Sequence, residues 1–362
     1  LRVDVFCRVV DNFGDIGVCW RLARQLTAEG WPVRLWVDDL ASFARLERRL
    51  SARLPAQSID NVEILQWTLP APDVLPHEIV IEAFACDPPP AFVHRMQDMV
   101  QRPIWLNLEY LSAESWIDTC HGLPSPQPNG IVKTFFFPGF TETSGGLLRE
   151  AGLLAERDAL QADPHAQANF LARLDLPARL PGERLVTLFC YPDAPASVLA
   201  RELANAATPT LLVIPEGVAP YLGAGQRGSL RIARTPFVAP PDYDRLLWCA
   251  DLNFVRGEDS FIRAHWAGRP MVWHIYPQDD AAHVDKLSAW LGRCALPSHA
   301  HDIHLGWNGE TTLEGFAEQL RYALQPEPWA AWTRRARAWS DALAAQPDLV
   351  ARLRRLCESR RQ

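Results

Sequence analysis

Lysine is almost missing from this chain: of its 36 basic residues, Lys133 and Lys286 are lysines and the rest are arginines. With abundant alanine and 30 prolines, the skew is compositional and bears on no function class. Long apolar runs are also missing. No stretch approaches the roughly 20 residues of a membrane-spanning helix, so no membrane partner is expected. The opening LRVDVFCRVV runs into a strand-like pattern without a signal-peptide layout. A positive surplus is lacking as well, since 36 Lys+Arg stand against 43 Asp+Glu, a net charge of −7. That balance argues against a nucleic-acid partner held by a general phosphate-neutralising surface.

Paired cysteines are absent. Cys7, Cys19, Cys86, Cys120, Cys190, Cys249, Cys294 and Cys357 form no C-x-x-C and sit mostly within apolar runs, the pattern of reduced core thiols in a cytoplasmic protein. His299, His301 and His304 cluster in SHAHDIHLGW, but no carboxylate besides Asp302 completes a ligand set. A surface loop before a strand is the expectation there. The G-x-S-x-G, H-E-x-x-H and P-loop motifs are missing, which removes support for serine hydrolases, zinc proteases and P-loop ATPases.

What is present is an ordinary globular composition over 362 residues, 48% hydrophobic and 22% charged, enough for two domains. VDVFCRVV (3–10) predicts a strand, DNFGDIG (11–17) a turn, VCWRLARQLTAEG a helix and WPVRLWVDD (31–39) a second strand. Short strands continue at VEIL (62–65), EIVIEAF (78–84) and PIWLNLEYL (103–111). The Pro- and Gly-rich stretch 123–146 reads as long loops, and 148–175 as helical. A second set begins with ERLVTLFCY (183–191), TPTLLVIPEG (208–217) and SLRIARTPFV (229–238), then alternates helix and strand to RPMVWHIYP. Alternation of this kind predicts an α/β fold in two similar halves of about 170 residues. The chain ends in helices. The last, from Pro347-Asp348, places Leu349, Val350, Leu353, Leu356 and Cys357 on one stripe and its arginines on what reads as a solvated face.

Two segments carry chemistry. The first βα turn, Asp11-Asn12-Phe13-Gly14-Asp15-Ile16-Gly17, opens toward the ligand crevice of a doubly wound domain. It has two glycines where a dinucleotide fold has three, and two carboxylates where phosphates would lie. Asp38, about twenty residues on, is the one point favouring NAD. The turn can be read as helix capping by Asp11 or Asp15, as a carboxylate base, or as a pair holding a cationic group.

The second segment is Asp251–Lys286. A strand ends in Arg256-Gly257-Glu258-Asp259-Ser260 and a helix starts at once, so Ser260 and free N–H groups can hold an anion. Arg256 can add a charged fork to a phosphate, and Glu258 can accept from a ribose hydroxyl. Tyr276-Pro277-Gln278-Asp279 follows the next strand beside the same crevice. The pattern fits the donor half of a nucleotide-sugar glycosyltransferase; the plain alternative is an ordinary βα turn. Asp242-Tyr243-Asp244 forms a D-x-D triplet, which can hold a divalent metal but stands where aspartate often caps a helix.

VVDNFGDIGVCWRLARQL (9–26), NLEYLSAESWID (107–118), CHGLPS (120–125), FFFPGF (135–140), LFCYP (188–192) and the stretch 251–278 resemble, in colinear order, the EarP family. These are protein-arginine rhamnosyltransferases acting on elongation factor P. The resemblance implies a GT-B glycosyltransferase fold: two Rossmann-like domains facing across a cleft, with the C-terminal helix crossing back to the first. Residues 1–175, completed by about 345–362, would bind the acceptor, and 176–344 the donor. It further implies dTDP-β-L-rhamnose as co-substrate, inversion, no metal, no other cofactor, and as partner the N-terminal domain of elongation factor P, which carries the acceptor arginine.

By that resemblance Asp15 is the general base and Asp11 orients the guanidinium. Asn12, Glu109, Tyr110 and Glu114 belong to the acceptor surface. Phe189, Tyr191, Arg256, Gly257, Glu258, Asp259 and Ser260 match the nucleotide pocket, Phe237 lies against thymine, and Tyr276 and Gln278 face the sugar. Where the family often has Gln, this chain has Pro240. An acidic turn suits a guanidinium, which is protonated at physiological pH and a poor nucleophile until carboxylates bind it and accept a proton. A nicotinamide-dependent oxidoreductase and a non-catalytic nucleotide-sugar sensor are the competing classes.

Overall fold

The computed structural model of the chain describes residues 1–10, 13–277 and 281–361. It divides into two units, Leu1–Glu150 with Gln346–Gln362, and Ala151–Ala345. The first is built on β1 (Val3–Cys7), β2 (Val33–Val37), β3 (Ala56–Ile59), β4 (Val62–Gln66), β5 (Ile79–Ala83), β6 (Ile104–Leu108), β7 (Pro124–Pro126) and β8 (Val132–Phe136). These form one sheet in the order β3-β4-β2-β1-β5-β6-β8-β7. The central pairs are parallel, and the outer strands β3 and β7 run antiparallel to their neighbours.

Strands covered on both faces must place apolar side chains alternately in two cores. Along β1, Val3, Val5 and Cys7 enter one core with Ile16, Leu22 and Leu26 of helix Gly14–Ala28. Phe6 enters the other, stacked on Trp36 at 4.9 Å with Phe92 edge-on. Asp4 shares that second face and is fully buried. It is satisfied there by Arg34 at 2.6 and 3.0 Å and by the Trp36 indole at 2.9 Å, its cross-strand partner in register being Arg34.

The second unit has β9 (Arg184–Leu188), β10 (Thr210–Pro215), β11 (Gly225–Arg227), β12 (Leu230–Thr235), β13 (Leu252–Arg256) and β14 (Met271–His274), in the order β11-β12-β10-β9-β13-β14. Val186 and Leu188 face a core with Phe254, Trp307 and Trp332. Leu185, Leu211 and Val213 face another, with Phe170 and Leu171.

The expected boundary, the loop stretch and the histidine loop all change. The division falls at Glu150/Ala151, earlier than 175/176. Helices Leu153–Ala162 and Pro164–Arg173 belong to the second unit, because Arg157 donates to the Trp266 carbonyl and Gln161 to those of Trp248 and Ala267. Stretch 123–146 is not all loop, since FFF of FFFPGF completes or follows β8, which extends the first sheet beside β6. The histidine cluster is a helix, Ser298–Trp307, rather than a loop before a strand. His304 is fully buried in it, its Nδ1 2.8 Å from the Ala300 carbonyl.

The C-terminal helix Leu349–Ser359 packs Leu349, Val350, Leu353 and Cys357 into the first unit's core. Asp348 caps it, accepting from Val350 and Ala351 N–H, and also accepts from Gln25. Its arginine face is not simply solvated. Arg352 Nη1 donates to the carbonyls of Thr141, Glu142 and Ser144 at 2.7, 2.8 and 2.6 Å. Arg354 pairs with Glu29 and lies over Trp31. All eight cysteines are free thiols, buried but for the half-buried Cys120.

Candidate active site

In the first unit, β1 ends at Cys7 and helix Gly14–Ala28 begins with Phe13 at its N-cap position. Asp15 therefore lies inside the first turn and is not a cap. It is 4% exposed. One carboxylate oxygen accepts from the Val10 N–H at 2.9 Å and the other from the Tyr110 hydroxyl at 3.3 Å. Both donors are neutral groups, and the carboxylate stands in the first turn of the helix, near the positive end of its dipole. Asp11 and Asn12, the other residues expected in this turn, lie outside the described residues. Asp38, the point favouring NAD, accepts from the backbone N–H of Val9 and Asp39, each at 2.9 Å. That carboxylate holds the turn in shape.

Tyr110 arrives just after β6. Its ring stacks on Phe84 at 4.3 Å and 15°, and 41% of the residue is exposed. Phe84 and Ala85 both have positive φ, +58° and +52°, a conformation that non-glycine residues adopt at a cost. The turn is held by Phe84 N–H to the Leu108 carbonyl (2.7 Å) and Ala85 N–H to Asn107 Oδ1 (3.2 Å). Asn107 in turn donates to Glu109 at 2.6 Å. Asp15 and Tyr110 thus meet directly, and Glu109 joins the strand end that carries Tyr110. Glu114 is turned inward on its own segment, accepting from the Ser112 hydroxyl at 2.9 Å.

In the second unit, the C-terminal ends of β9, β13 and β14 converge. The Arg256 guanidinium lies over Phe189 (4.2 Å) and Tyr191 (4.9 Å) and donates to the Cys190 carbonyl at 3.0 Å. Gly257 has φ +66°, and its carbonyl accepts from the Trp273 indole at 2.9 Å. Any side chain there would be strained and would meet the Tyr191 hydroxyl at 3.5 Å. Glu258 holds the N-cap position of helix Asp259–Ala267, with Asp259 and Ser260 in its first turn. A strand, a left-handed glycine and a helix start bring the positive end of a helix dipole to the end of β13, with Arg256 beside it, an arrangement that suits an anion.

Tyr276 packs edge-on against Tyr191 at 5.5 Å, and Phe237 is exposed beyond the end of β12. Gln278 lies outside the described residues. Pro240 opens helix Pro240–Cys249, where a missing N–H costs nothing. The D-x-D carboxylates are engaged by arginines. Asp244 makes a buried two-pronged pair with Arg263 at 2.9 and 2.7 Å, and Asp242 accepts from Arg245 at 2.9 Å.

Sequence reasoning missed His274, the last residue of β14. Its Nδ1 accepts from the Tyr191 N–H at 3.2 Å, and the rings meet edge-on at 5.1 Å. Burial pushes its pKa down to about 4, so it is neutral and fixes the strand end that presents Tyr191. The HIY run after an apolar strand was the available signal. Burial likewise pushes the Cys190 thiol up to about 12, which leaves it unreactive.

Residues 3–358 match the family model described as Elongation-Factor P (EF-P) rhamnosyltransferase EarP. The chain is 48% identical over 370 residues to a protein-arginine rhamnosyltransferase of Pseudomonas aeruginosa, covering 97% of each chain. It is 37% identical over 383 residues to one of Neisseria meningitidis, covering 96% of this chain and 95% of that one. A solved structure described as the basis for EarP-mediated arginine glycosylation of translation elongation factor EF-P matches with a TM-score of 0.66 and 34% identity, over 99% of both chains. MurG of Acinetobacter baumannii matches at a TM-score of 0.54 and 12% identity, over 100% of this chain and 99% of that one, which shows the GT-B fold alone. The chain belongs to the EarP family of protein-arginine rhamnosyltransferases.

Proposed function

We propose that this enzyme transfers L-rhamnose from dTDP-β-L-rhamnose to an arginine side chain of elongation factor P, with inversion and without a metal ion. The observation that carries the reading is Asp15, a buried carboxylate at a helix start, oriented from both sides by Val10 and Tyr110. Membership of the EarP family supports the acceptor and the sugar.

In this reading a guanidinium nitrogen of the acceptor attacks the anomeric carbon, the bond from that carbon to the diphosphate oxygen breaks, and dTDP leaves with the electron pair. The nitrogen's proton passes to Asp15. Asp11 and Asn12 help hold the guanidinium, with Glu109, Tyr110 and Glu114 on the acceptor surface. Charge on the leaving diphosphate is met by Arg256, Ser260 and the amides opening helix Asp259–Ala267. Gly257, Glu258 and Asp259 shape that turn, Phe189, Tyr191 and Phe237 line the nucleotide pocket, and Tyr276 and Gln278 contact the sugar. A divalent metal is not needed for this neutralisation, and Asp242 and Asp244 are already bonded to arginines. In this reading the partner is the N-terminal domain of elongation factor P, which carries the acceptor arginine, and the reaction is cytoplasmic; no described helix is long and apolar enough to cross a membrane.

The test is the intact mass of elongation factor P after incubation with the enzyme and dTDP-rhamnose, with and without EDTA. A gain of one deoxyhexose in both is expected. An unshifted mass with folded enzyme would refute the transfer, and loss of the gain only with EDTA would refute its metal independence.

A further inference from the structure

β14 is the last strand of its sheet and pairs with β13 along one edge. Along a strand, backbone groups of alternate residues point to the same side. At the far edge of β14 the Trp273 carbonyl and the Ile275 N–H are both taken by one side chain. Asn308 Oδ1 accepts from the Ile275 N–H at 3.0 Å, and Asn308 Nδ2 donates to the Trp273 carbonyl at 2.8 Å. The same Nδ2 also donates to the His304 carbonyl at 2.8 Å, one turn back along the helix. These bonds fix which end of the amide is which. Turned over, it would set N–H against N–H and oxygen against two carbonyls. The side-chain amide stands in for a peptide group of a neighbouring strand.

This clamp has a firm base. Asn308 is the C-cap of helix Ser298–Trp307, its own N–H bonded back to the His304 carbonyl at 3.2 Å. Trp307 beside it is buried, with its ring 4.4 Å from that of Phe254. What the clamp holds lies past the end of the strand: β14 stops at His274, and residues 275–277 are in neither strand nor helix. Tyr276 follows the held N–H directly. It is 55% exposed and meets Tyr191 edge-on at 5.5 Å, so the backbone that carries it sets where it points. The nucleotide side is held by other bonds, from the Tyr191 N–H to His274 and from Arg256 to the Cys190 carbonyl.

We propose that Asn308 is a positioning residue for sugar transfer: by clamping the exit of β14 it aims Tyr276 at the sugar, and it acts on the donor only through that residue. The proposal rests on the reading above in which Tyr276 contacts the sugar. Its effect belongs to the rate rather than to nucleotide binding, because transfer depends on how the reacting carbon is aligned.

The experiment measures single-turnover transfer to elongation factor P at saturating dTDP-rhamnose, beside calorimetric titration with dTDP, on the full chain. Asn308→Ala is expected to slow transfer about tenfold while dTDP affinity stays within about twofold. Tyr276→Ala is expected to slow transfer at least as much, and the double variant no more than Tyr276→Ala alone, since two residues acting on one path do not add. Asn308→Asp keeps the acceptor for Ile275 but sets an oxygen against two carbonyls. It is expected to behave as Asn308→Ala does, and decides the matter if that variant does not fold. Unchanged transfer in the Asn308 variants, a matching loss of dTDP affinity, or multiplied losses in the double variant would each overturn the positioning role while leaving the sugar contact standing. Unchanged transfer in Tyr276→Ala would refute the sugar contact itself, and the proposal with it.

Discussion

The hydroxyl of Tyr110 donates to Asp15 across 95 positions of sequence, at 3.3 Å. It holds one carboxylate oxygen while the Val10 N–H holds the other. Asp15→Asn keeps the shape but removes the base, so turnover should fall by about 10²–10⁴ while dTDP-rhamnose still binds. Tyr110→Phe keeps the stack on Phe84 and should lower turnover by about tenfold, the effect of one hydrogen bond. Single-turnover transfer together with calorimetric dTDP titration separates the two effects; near-wild-type turnover in Asp15→Asn would remove the base assignment.

Arg256 serves the donor pocket by shape as well as charge. A lysine cannot cover both Phe189 and Tyr191 while donating to the Cys190 carbonyl. Arg256→Lys is expected to weaken dTDP binding roughly 10- to 100-fold, in keeping with a charge-assisted bond. Calorimetric titration checks this, and unchanged affinity would place the diphosphate elsewhere.

His274→Phe preserves the aromatic contact to Tyr191 but removes the acceptor for its N–H. The half-buried N–H then loses its acceptor, and donor affinity should fall several-fold through a misplaced Tyr191. A Phe at this position that bound dTDP as tightly as histidine would show that the backbone needs no such hold.

Acid should destabilise the second unit in a defined window. His265, His274 and His304 are buried, and burial lowers each pKa from 6.5 to about 4. At His265 the Phe261 carbonyl, 2.8 Å from Nδ1, favours the charged form but is outweighed by burial, while Nε2 accepts from the Trp290 indole at 3.0 Å. A proton on Nε2 would confront an N–H. The unfolded chain takes up these protons below pH 6.5 and the folded chain only near 4. Stability from this source is therefore complete above pH 6.5 and is lost as pH falls toward 4, by about 3 kcal/mol for each histidine. Unfolding midpoints across that range should drop, and less steeply in His265→Gln. A flat profile between pH 6.5 and 4 would contradict the assignment.

Much of the architecture was legible because strand and helix periods are local. The apolar runs from VDVFC to MVWH mark the sheets, and RGEDS stands at the expected strand-to-helix junction. The rest depends on distant partners that no local pattern announces. In sequence Asp15 reads also as a cap; the helix start at Gly14 rules that out, and Tyr110 beside it comes from 95 positions away. The arginines of the last helix looked solvated because the carbonyls that Arg352 holds lie some two hundred positions earlier. Helices Leu153–Ala162 and Pro164–Arg173 could join either half by their own patterns; Arg157 and Gln161 choose the second.

The anchorage of helix Leu349–Ser359 in the first core has a bearing on biosynthesis. Residues 346–361 emerge from the ribosome only after the whole of 151–345, which holds its own cores and can fold as a unit. The half that begins first is therefore finished last. Until then the surface beneath Leu349, Val350 and Leu353 is open, and a nascent chain stalled near residue 345 presents an uncapped hydrophobic face to chaperones and proteases.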